Sequence, residues 1–168
     1  MSSPEPIETE RLLLRAITMD DLDEMVRLHG DPLVAQFMGS PDRAWLENWV
    51  RSSWEEWEER GHGRLAIVDR ESGAFLGRSG LKYWAQFEET ELGWALQSEA
   101  RGRGIATEAA RAVLKWGFPR FDSPYFTAMI RPDNTASIAV AERLDMSPLR
   151  PDNLLGDPVT VYAISRGD

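Results

Sequence analysis

The chain reads Arg101-Gly102-Arg103-Gly104-Ile105-Ala106-Thr107-Glu108 between a pattern typical of a β-strand and a pattern typical of an amphipathic helix. The two glycines allow a ligand to approach the backbone closely. The helix start offers unpaired N–H groups at the positive end of its dipole, which is a favourable place for phosphate. Arg101 and Arg103 add charge that suits a pyrophosphate. The segment therefore predicts a phosphate-binding loop.

Two common nucleotide motifs do not fit this loop. The Gly-Lys-Ser/Thr ending of a Walker loop is absent. A dinucleotide fingerprint needs a third small residue where Thr107 stands, within an early strand–helix–strand unit, whereas this loop follows three strand patterns that look antiparallel. A glycine-containing turn with its arginines in solvent is the structural alternative, and it would be favoured for an isolated Gly-x-Gly.

Further strands and helices are indicated on both sides of the loop. Helices are expected after Thr18, which with Asp21 forms an N-cap signature, and briefly after Pro32. The other helices cover residues 42–60, the segment after the loop, and residues 134–144. Strands are expected at 11–17, 65–69, 75–84, 90–96, 124–130 and 159–164. This order predicts an α+β fold in one domain, 1–168, with a mostly antiparallel sheet and helices on both faces.

Composition narrows the class of protein. The 168 residues are 42% apolar, which fits one compact domain, and no apolar run approaches the ~20 residues that span a bilayer. The polar, acidic N-terminus does not resemble a signal peptide. The absence of cysteine excludes disulfides and a cysteine nucleophile, and favours a cytoplasmic location. His29 and His62 belong to no metal-like cluster, so no metal site is predicted.

The net charge of −9 argues against nucleic-acid binding, which needs a positive surface. It is compatible with a cationic partner such as an amine, although a solvated acidic surface is the simpler interpretation. No membrane partner is expected. The sequence leaves open whether the chain forms a homodimer.

Arg-x-x-Gly-x-Ala between a strand and a helix resembles the acetyl-CoA signature of the GNAT superfamily of N-acetyltransferases. Three other segments resemble the same superfamily in the right order, so the resemblance covers nearly the whole chain. Residues 8–15 look like the opening of its RimJ/RimL-like branch, and residues 91–96 look like the strand before the loop. Residues 134–137 followed by Glu142-Arg143-Leu144 look like the helix after the next strand.

This resemblance implies a GNAT-like fold whose central sheet splays beside the loop and holds the pantetheine arm of acetyl-CoA. It assigns the pantetheine contacts to the backbone of Trp94, Ala95 and Leu96. An N–H near Trp94 would polarise the acetyl carbonyl. The pyrophosphate contacts fall to the amides of Arg101, Gly102, Arg103, Gly104, Ile105, Ala106 and Thr107.

The resemblance also assigns roles to two residues of the helix after the next strand. Asn134 would contact the coenzyme arm, and the Ser137 hydroxyl would protonate the leaving thiolate. The structural alternative is that Asn134 only caps its helix while Ser137 bonds back to a carbonyl. Some relatives carry a glutamate base late in the strand before Asn134, but residues 128–130 contain no carboxylate. Glu91 is therefore the candidate base, with Asp152 in a predicted late loop as a weaker one, and a solvent-facing role for Glu91 is equally open.

The helix at 42–60 carries four tryptophans and lies where the family builds its acceptor site. Any one of them could simply be core, but we expect Trp45 and Trp49 to line an acceptor pocket with Phe37 and Trp84. The weakly defined base favours an α-amine acceptor, as on a peptide N-terminus, over a lysine side chain. Two alternatives stay open: a non-catalytic acyl-CoA-binding module, and an acetyltransferase for small or antibiotic amines.

Overall fold

A computed structural model describes residues 3–167. Its sheet has eight strands in the spatial order β1-β2-β3-β4-β5-β6-β8-β7. The strands are β1 (Ile7–Glu8), β2 (Leu12–Ala16), β3 (Arg64–Asp69), β4 (Phe75–Trp84), β5 (Glu89–Leu96), β6 (Tyr125–Ile130), β7 (Ser147–Leu154) and β8 (Asp157–Ser165).

Five α-helices connect these strands: α1 (Leu22–Gly30), α2 (Pro32–Met38), α3 (Arg43–Arg60), α4 (Ile105–Gly117) and α5 (Thr135–Arg143). The ends of α3 follow from its sequence. The Asp42 side chain accepts a hydrogen bond from the Trp45 N–H at 2.8 Å, which caps the start of the helix. Gly61 ends it with a φ of 79°, a left-handed conformation that glycine adopts without strain.

The sheet carries an apolar core on each face. On one side, Leu65 and Ile67 of β3 pack in the core that contains α4, whose Ala109 and Val113 are fully buried. Ala66 and Val68 point the other way, into the core formed with α1, α2 and α3. This division follows from the alternation of side chains along a strand. The prediction of a mostly antiparallel α+β sheet with helices on both faces is therefore confirmed.

The central feature of the sheet is a fork between β5 and β6. These strands run parallel and pair only at Glu91 and Thr127, whereas the other six neighbouring pairs in the sheet are antiparallel. Beyond that pair the two strands diverge, and the backbone of Trp94, Ala95 and Leu96 has no ladder partner on its β6 side. The fork therefore exposes backbone groups in the middle of the sheet.

Two strands differ from the sequence-based expectation. β1 was not predicted, and the segment that contains Asp152 is strand β7 instead of the predicted late loop. Pro148 and Pro151 argue against a strand at this position in the sequence, because proline cannot donate a ladder hydrogen bond. β7 tolerates both because it is the edge strand of the sheet and pairs with β8 alone.

Candidate active site

A cleft of about 1170 Å³ runs through the fork. Its floor is the backbone and side chains of Trp94, Ala95 and Leu96, and its walls come from β1, α2, α4 and α5. Of the eleven residues that the sequence assigned to the coenzyme, ten line this cleft, and Arg103 is the exception. The fold therefore brings together segments that are up to 40 residues apart in sequence.

The loop at the start of α4 has the geometry that an anion requires. Gly102 and Gly104 both have a φ of 74° and are exposed, and nothing lies within 4 Å of a Cβ built at Gly102. The amide N–H groups of residues 102–107 donate to no described backbone or side-chain acceptor. The Thr107 hydroxyl is also buried in the cleft wall without a hydrogen-bond partner among the described residues. This set of donors fits a pyrophosphate.

The two arginines of the loop have different surroundings. The Arg101 guanidinium forms an ion pair with Asp31 at 2.7 Å and also donates to the Leu96 carbonyl at 3.1 Å, so it ties the loop to α2 and β5. The same guanidinium lowers the pKa of the Asp31 carboxyl. Arg103 is exposed and lies outside the cleft wall.

Other cations, which sequence reasoning did not single out, stand on the cleft wall. They are Arg111 and Lys115 of α4 and Arg143 of α5. Arg111 and Lys115 are four residues apart, so they share one face of the helix. The available signal was this spacing, one and two turns after the loop. These cations add positive charge to the wall of the cleft beside the loop.

The β1–β2 segment closes one end of the cleft through Glu108. Its carboxylate accepts from the Thr9 hydroxyl at 2.6 Å, from the Arg11 guanidinium at 2.7 Å and from the Arg11 amide at 3.1 Å. Burial alone would raise the pKa of Glu108, but these donors outweigh it and lower the pKa. Residues 7–10 thereby form a fixed wall of the cleft. The sequence placed this segment in the family's opening motif without giving it a role.

The inner end of the cleft carries a hydroxyl beside the fork. The Trp94 indole N–H donates to the Ser137 Oγ at 3.3 Å, and both residues line the cleft. Because the oxygen accepts this bond, its own proton remains available for another acceptor. Asn134 Oδ1 accepts from the Ser137 amide at 3.3 Å, which caps α5 and leaves the Asn134 NH2 group for a ligand.

The candidate base lies at the point where β5 and β6 part. The Glu91 carboxylate accepts from the Trp84 indole N–H at 2.9 Å, so two predicted site residues are in direct contact. Glu91 is half-buried and is not part of the cleft wall. Asp152, the weaker candidate, is held by Arg150 at 2.8 Å on β7, and this bond lowers its pKa.

Comparison with known proteins gives this arrangement a context. The sequence model of the acetyltransferase (GNAT) domain matches residues 11–147. The chain belongs to the GNAT acetyltransferase family. It is 31% identical to the uncharacterized protein YkkB of Bacillus subtilis over 96% of both chains.

Solved GNAT structures share the fold. An acetyltransferase from Agrobacterium tumefaciens is 31% identical, with a TM-score of 0.86, over 99% of this chain and 97% of that one. A complex of RimL, a ribosomal L7/L12 α-N-protein acetyltransferase, with coenzyme A has a TM-score of 0.80 and 21% identity, over 96% and 98% of the two chains. The GNAT domain makes this chain an acetyl-CoA-dependent N-acetyltransferase.

The predicted acceptor residues of this GNAT protein occupy different places. Phe37 lines the cleft with its neighbours on α2. Trp49 lies against two arginine side chains, and Trp84 bonds to Glu91. Trp45 is 50% exposed on the surface of α3. The fold thus brings only Phe37 to the cleft wall, while Trp49 and Trp84 lie on the α3 side of the sheet.

Neither a metal cluster nor a membrane-spanning helix is found in the part of the chain that the structure describes. Among residues 3–167, no group of three or more histidine or acidic side chains could hold a metal ion. No helix within those residues is long and apolar enough to cross a membrane.

Proposed function

We propose that this GNAT protein transfers the acetyl group of acetyl-CoA to an α-amino group, on a peptide, a protein N-terminus or a small metabolite. The amine attacks the thioester directly while both substrates are bound. The observation that carries this proposal is the fork. It exposes the backbone of Trp94, Ala95 and Leu96 within a cleft that connects the loop before α4 to α2.

The loop and the fork would bind different parts of the coenzyme. The amides of residues 102–107 and the Thr107 hydroxyl would hold the pyrophosphate, with Arg111, Lys115 and Arg143 adding charge at the cleft wall. The free edge of β5 would pair with the pantetheine amides, as a neighbouring strand would. An N–H near Trp94 would then donate to the acetyl oxygen, where negative charge develops during attack.

Ser137 is the proposed proton donor. Its hydroxyl accepts from the Trp94 indole, so its own proton can point at the leaving sulfur. Departure as a thiol avoids releasing a thiolate into a site that already holds negative charge. With no cysteine in the chain, a cysteine acyl-enzyme is excluded, and direct transfer needs no covalent intermediate on the protein.

The cost of deprotonating the acceptor indicates which kind of amine the site can use. An α-amine with a pKa of ~8 costs under ~1 kcal/mol to deprotonate at a pH of ~7.4, whereas a lysine at ~10.4 costs ~4 kcal/mol. Glu91, bonded to Trp84 and outside the cleft wall, would act through water. Such a distant base suits an α-amine, and the RimL neighbour is named as an α-N-protein acetyltransferase.

An acceptor screen tests this proposal. Acetyl-CoA is supplied with free amino acids, peptides with free N-termini, Nα-blocked lysine peptides, polyamines and aminoglycosides, and thiol release is measured. We expect turnover with α-amines and, for the peptides with free N-termini, a rising pH limb with an apparent pKa near ~8. Efficient acetylation of the blocked lysine peptides, with free α-amines ignored, would contradict the α-amine assignment.

A further inference from the structure

Arg64 and Arg78 are the only two arginines that are buried among residues 3–167, with 8% and 7% of their surface exposed. Neither guanidinium has a carboxylate oxygen of the described residues within 4.0 Å. By contrast, Arg150 is more exposed and yet is bound by both Glu89 and Asp152. Buried charges in proteins are normally paired, so two buried guanidiniums without a carboxylate point to a ligand that supplies one.

The two arginines face the same small space. In the sheet, Ala66 of β3 pairs with Arg78 of β4, so Arg64 and Arg78 project from the same face, two positions apart along β3. Both guanidiniums lie against the Trp49 ring, with the carbons at their centres 5.4 and 5.0 Å from its centroid. The Nε of Arg78 is fully buried and has no hydrogen-bond partner among the described residues.

This space is kept clear of side-chain bulk by a glycine. A Cβ at Gly93 would lie 3.2 Å from Nη1 of Arg64. Gly93 directly precedes Trp94, near which the acetyl oxygen is proposed to bind. The basic site therefore lies beside the part of β5 where the proposed transfer occurs.

Arg78 connects this basic site to the cleft. It pairs across the sheet with Ala95, which lines the cleft. Its Nη2 lies 3.3 Å from the sulfur of Met38, which also lines the cleft and is 40% exposed. The flexible Met38 side chain therefore contacts the guanidinium and also lines the α2 side of the cleft. A molecule in that part of the cleft can reach Arg78 if the methionine turns.

The acidic side chains nearby are already engaged. Glu91 accepts from Trp84, and Glu56 is bound by His62 at 2.9 Å and by the Tyr83 amide at 3.1 Å. Burial, and then repulsion by Arg64, lowers the pKa of Arg78 to about 9 although the Glu91 charge opposes both, and Arg78 stays charged near neutral pH. An anion bound between the two guanidiniums would offset their mutual repulsion and supply the partner that a buried charge needs.

We infer that Arg64, Arg78 and Trp49 bind a carboxylate of the acceptor, so that the acceptor is a primary amine that also carries a carboxylate. This inference rests on the proposed acetyl transfer and narrows its substrate class. Free amino acids and peptides with an acidic residue close to the N-terminus both have this chemistry. The overall charge of −9 by itself would favour a purely cationic acceptor, whereas two adjacent guanidiniums favour an acceptor with a carboxylate.

Matched acceptor pairs test the inference. Free amino acids are compared with their carboxamides, and amidated peptides with aspartate at the second position are compared with the asparagine peptides. We expect a 10- to 100-fold higher kcat/KM for the carboxylate member of at least one series, as for a charge-assisted bond. The series that shows the preference identifies the source of the carboxylate. The carboxamides have the lower amine pKa and so the larger fraction of unprotonated amine near neutral pH, which favours the carboxamides and works against the expected preference.

Arg78→Met and Arg64→Met should abolish that preference while the KM for acetyl-CoA stays the same. Arg60→Met is the matched control, because Arg60 also stacks on an aromatic ring, that of Tyr83, but is exposed. Arg78→Met should not lower the Tm, since it removes an unpaired buried charge. A lower Tm with equal losses for both members of each pair would show a structural role and overturn the inference. Arg78→Lys keeps the positive charge but loses the planar guanidinium that can donate two parallel hydrogen bonds, so it should retain part of the preference.

The outcomes also separate this inference from the proposed function. If the carboxamides and the asparagine peptides react as fast as their carboxylate partners in every pair, the inference is wrong and acetyl transfer to α-amines stands. If acetyl-CoA binds and no amine of either kind reacts, both are wrong.

Discussion

The two binding sites proposed beside the β5–β6 fork are built in different ways. On the α4 side, the donors are backbone amides of residues 102–107 and a single hydroxyl, all close together in sequence. On the α3 side, the candidate groups are long side chains from three separate elements: Trp49 of α3, Arg64 of β3 and Arg78 of β4. The first site is a property of one local segment, and the second exists only after the sheet has formed.

This difference determines which substitutions can alter each of the two sites. A site made of backbone depends on glycine conformation and on a helix start, so changes to side chains around it leave the donors in place. A site made of side chains can be altered by one substitution on any of its strands. The coenzyme side therefore suits a constant substrate, and the acceptor side suits a substrate that differs between relatives.

The largest expected effect is on the backbone side. Gly104→Asp places a carboxylate at the start of α4, where the pyrophosphate is proposed to bind, and should weaken acetyl-CoA binding by ~10²-fold or more through charge repulsion. Calorimetry measures the Kd. Gly104→Asn has the same shape without the charge and should lose much less.

Gly73→Asp controls for backbone strain in that experiment. Gly73 has a φ of 80°, and no atom lies within 4 Å of a Cβ built there, but it belongs to the turn before β4 and not to the cleft. If Gly73→Asp and Gly104→Asp weaken binding equally, the loop is not the coenzyme site.

The next effect concerns the residue at the junction of the two sides. Ser137→Ala should lower kcat by ~10²-fold, as expected for loss of a general acid, with the Kd for acetyl-CoA almost unchanged. Thr135→Ala is the matched control, since Thr135 is an exposed hydroxyl of α5 outside the cleft wall. Unchanged turnover in Ser137→Ala would leave the serine with a structural role only.

The same contrast explains which elements and site residues could be predicted from the sequence. The loop, the extent of α3 and the strand of Trp94 were predictable because each depends on neighbours along the chain. Arg64 and Arg78 were not singled out, because each is one polar residue in a strand pattern and only the register of β3 with β4 brings them together. The β7 strand was missed because its prolines oppose a strand locally and are tolerated only at a sheet edge.

A smaller effect, on stability, is expected at the closed end of the fork. Glu89 of β5 is bound by two nitrogens of Arg150 at 2.6 and 2.8 Å and by the Tyr125 hydroxyl at 2.6 Å, so it joins β5 to β7 and β6. The Arg150 guanidinium, helped by Tyr125, holds the pKa of Glu89 below its usual range despite burial. The network therefore stabilises the fold above the ordinary glutamate pKa of ~4.3 and loses this as pH falls through the lower folded value.

Glu89→Gln should accordingly reduce the free energy of unfolding by about 2–3 kcal/mol near neutral pH. The difference from the unsubstituted protein should shrink as the pH is lowered below ~4.3. Denaturant unfolding at several pH values measures both quantities. Glu88→Gln, at the exposed neighbouring position, should change neither. A pH-independent difference would mean that packing, and not the charge of Glu89, holds the fork together.

The smallest effect is expected on the side-chain side, and it distinguishes two tryptophans that sequence reasoning treated alike. Trp49 and Trp45 lie four residues apart on α3, but only Trp49 contacts Arg64 and Arg78, while Trp45 is 50% exposed. Trp49→Ala should raise the KM for the acceptor by ~3- to 10-fold, as for loss of a cation–π platform, and leave the KM for acetyl-CoA unchanged. Trp45→Ala should have the smaller effect. Steady-state kinetics with one substrate varied at a time separates the two constants. Equal effects of the two substitutions would mean that the acceptor contacts the outer surface of α3 instead of the basic site beneath it.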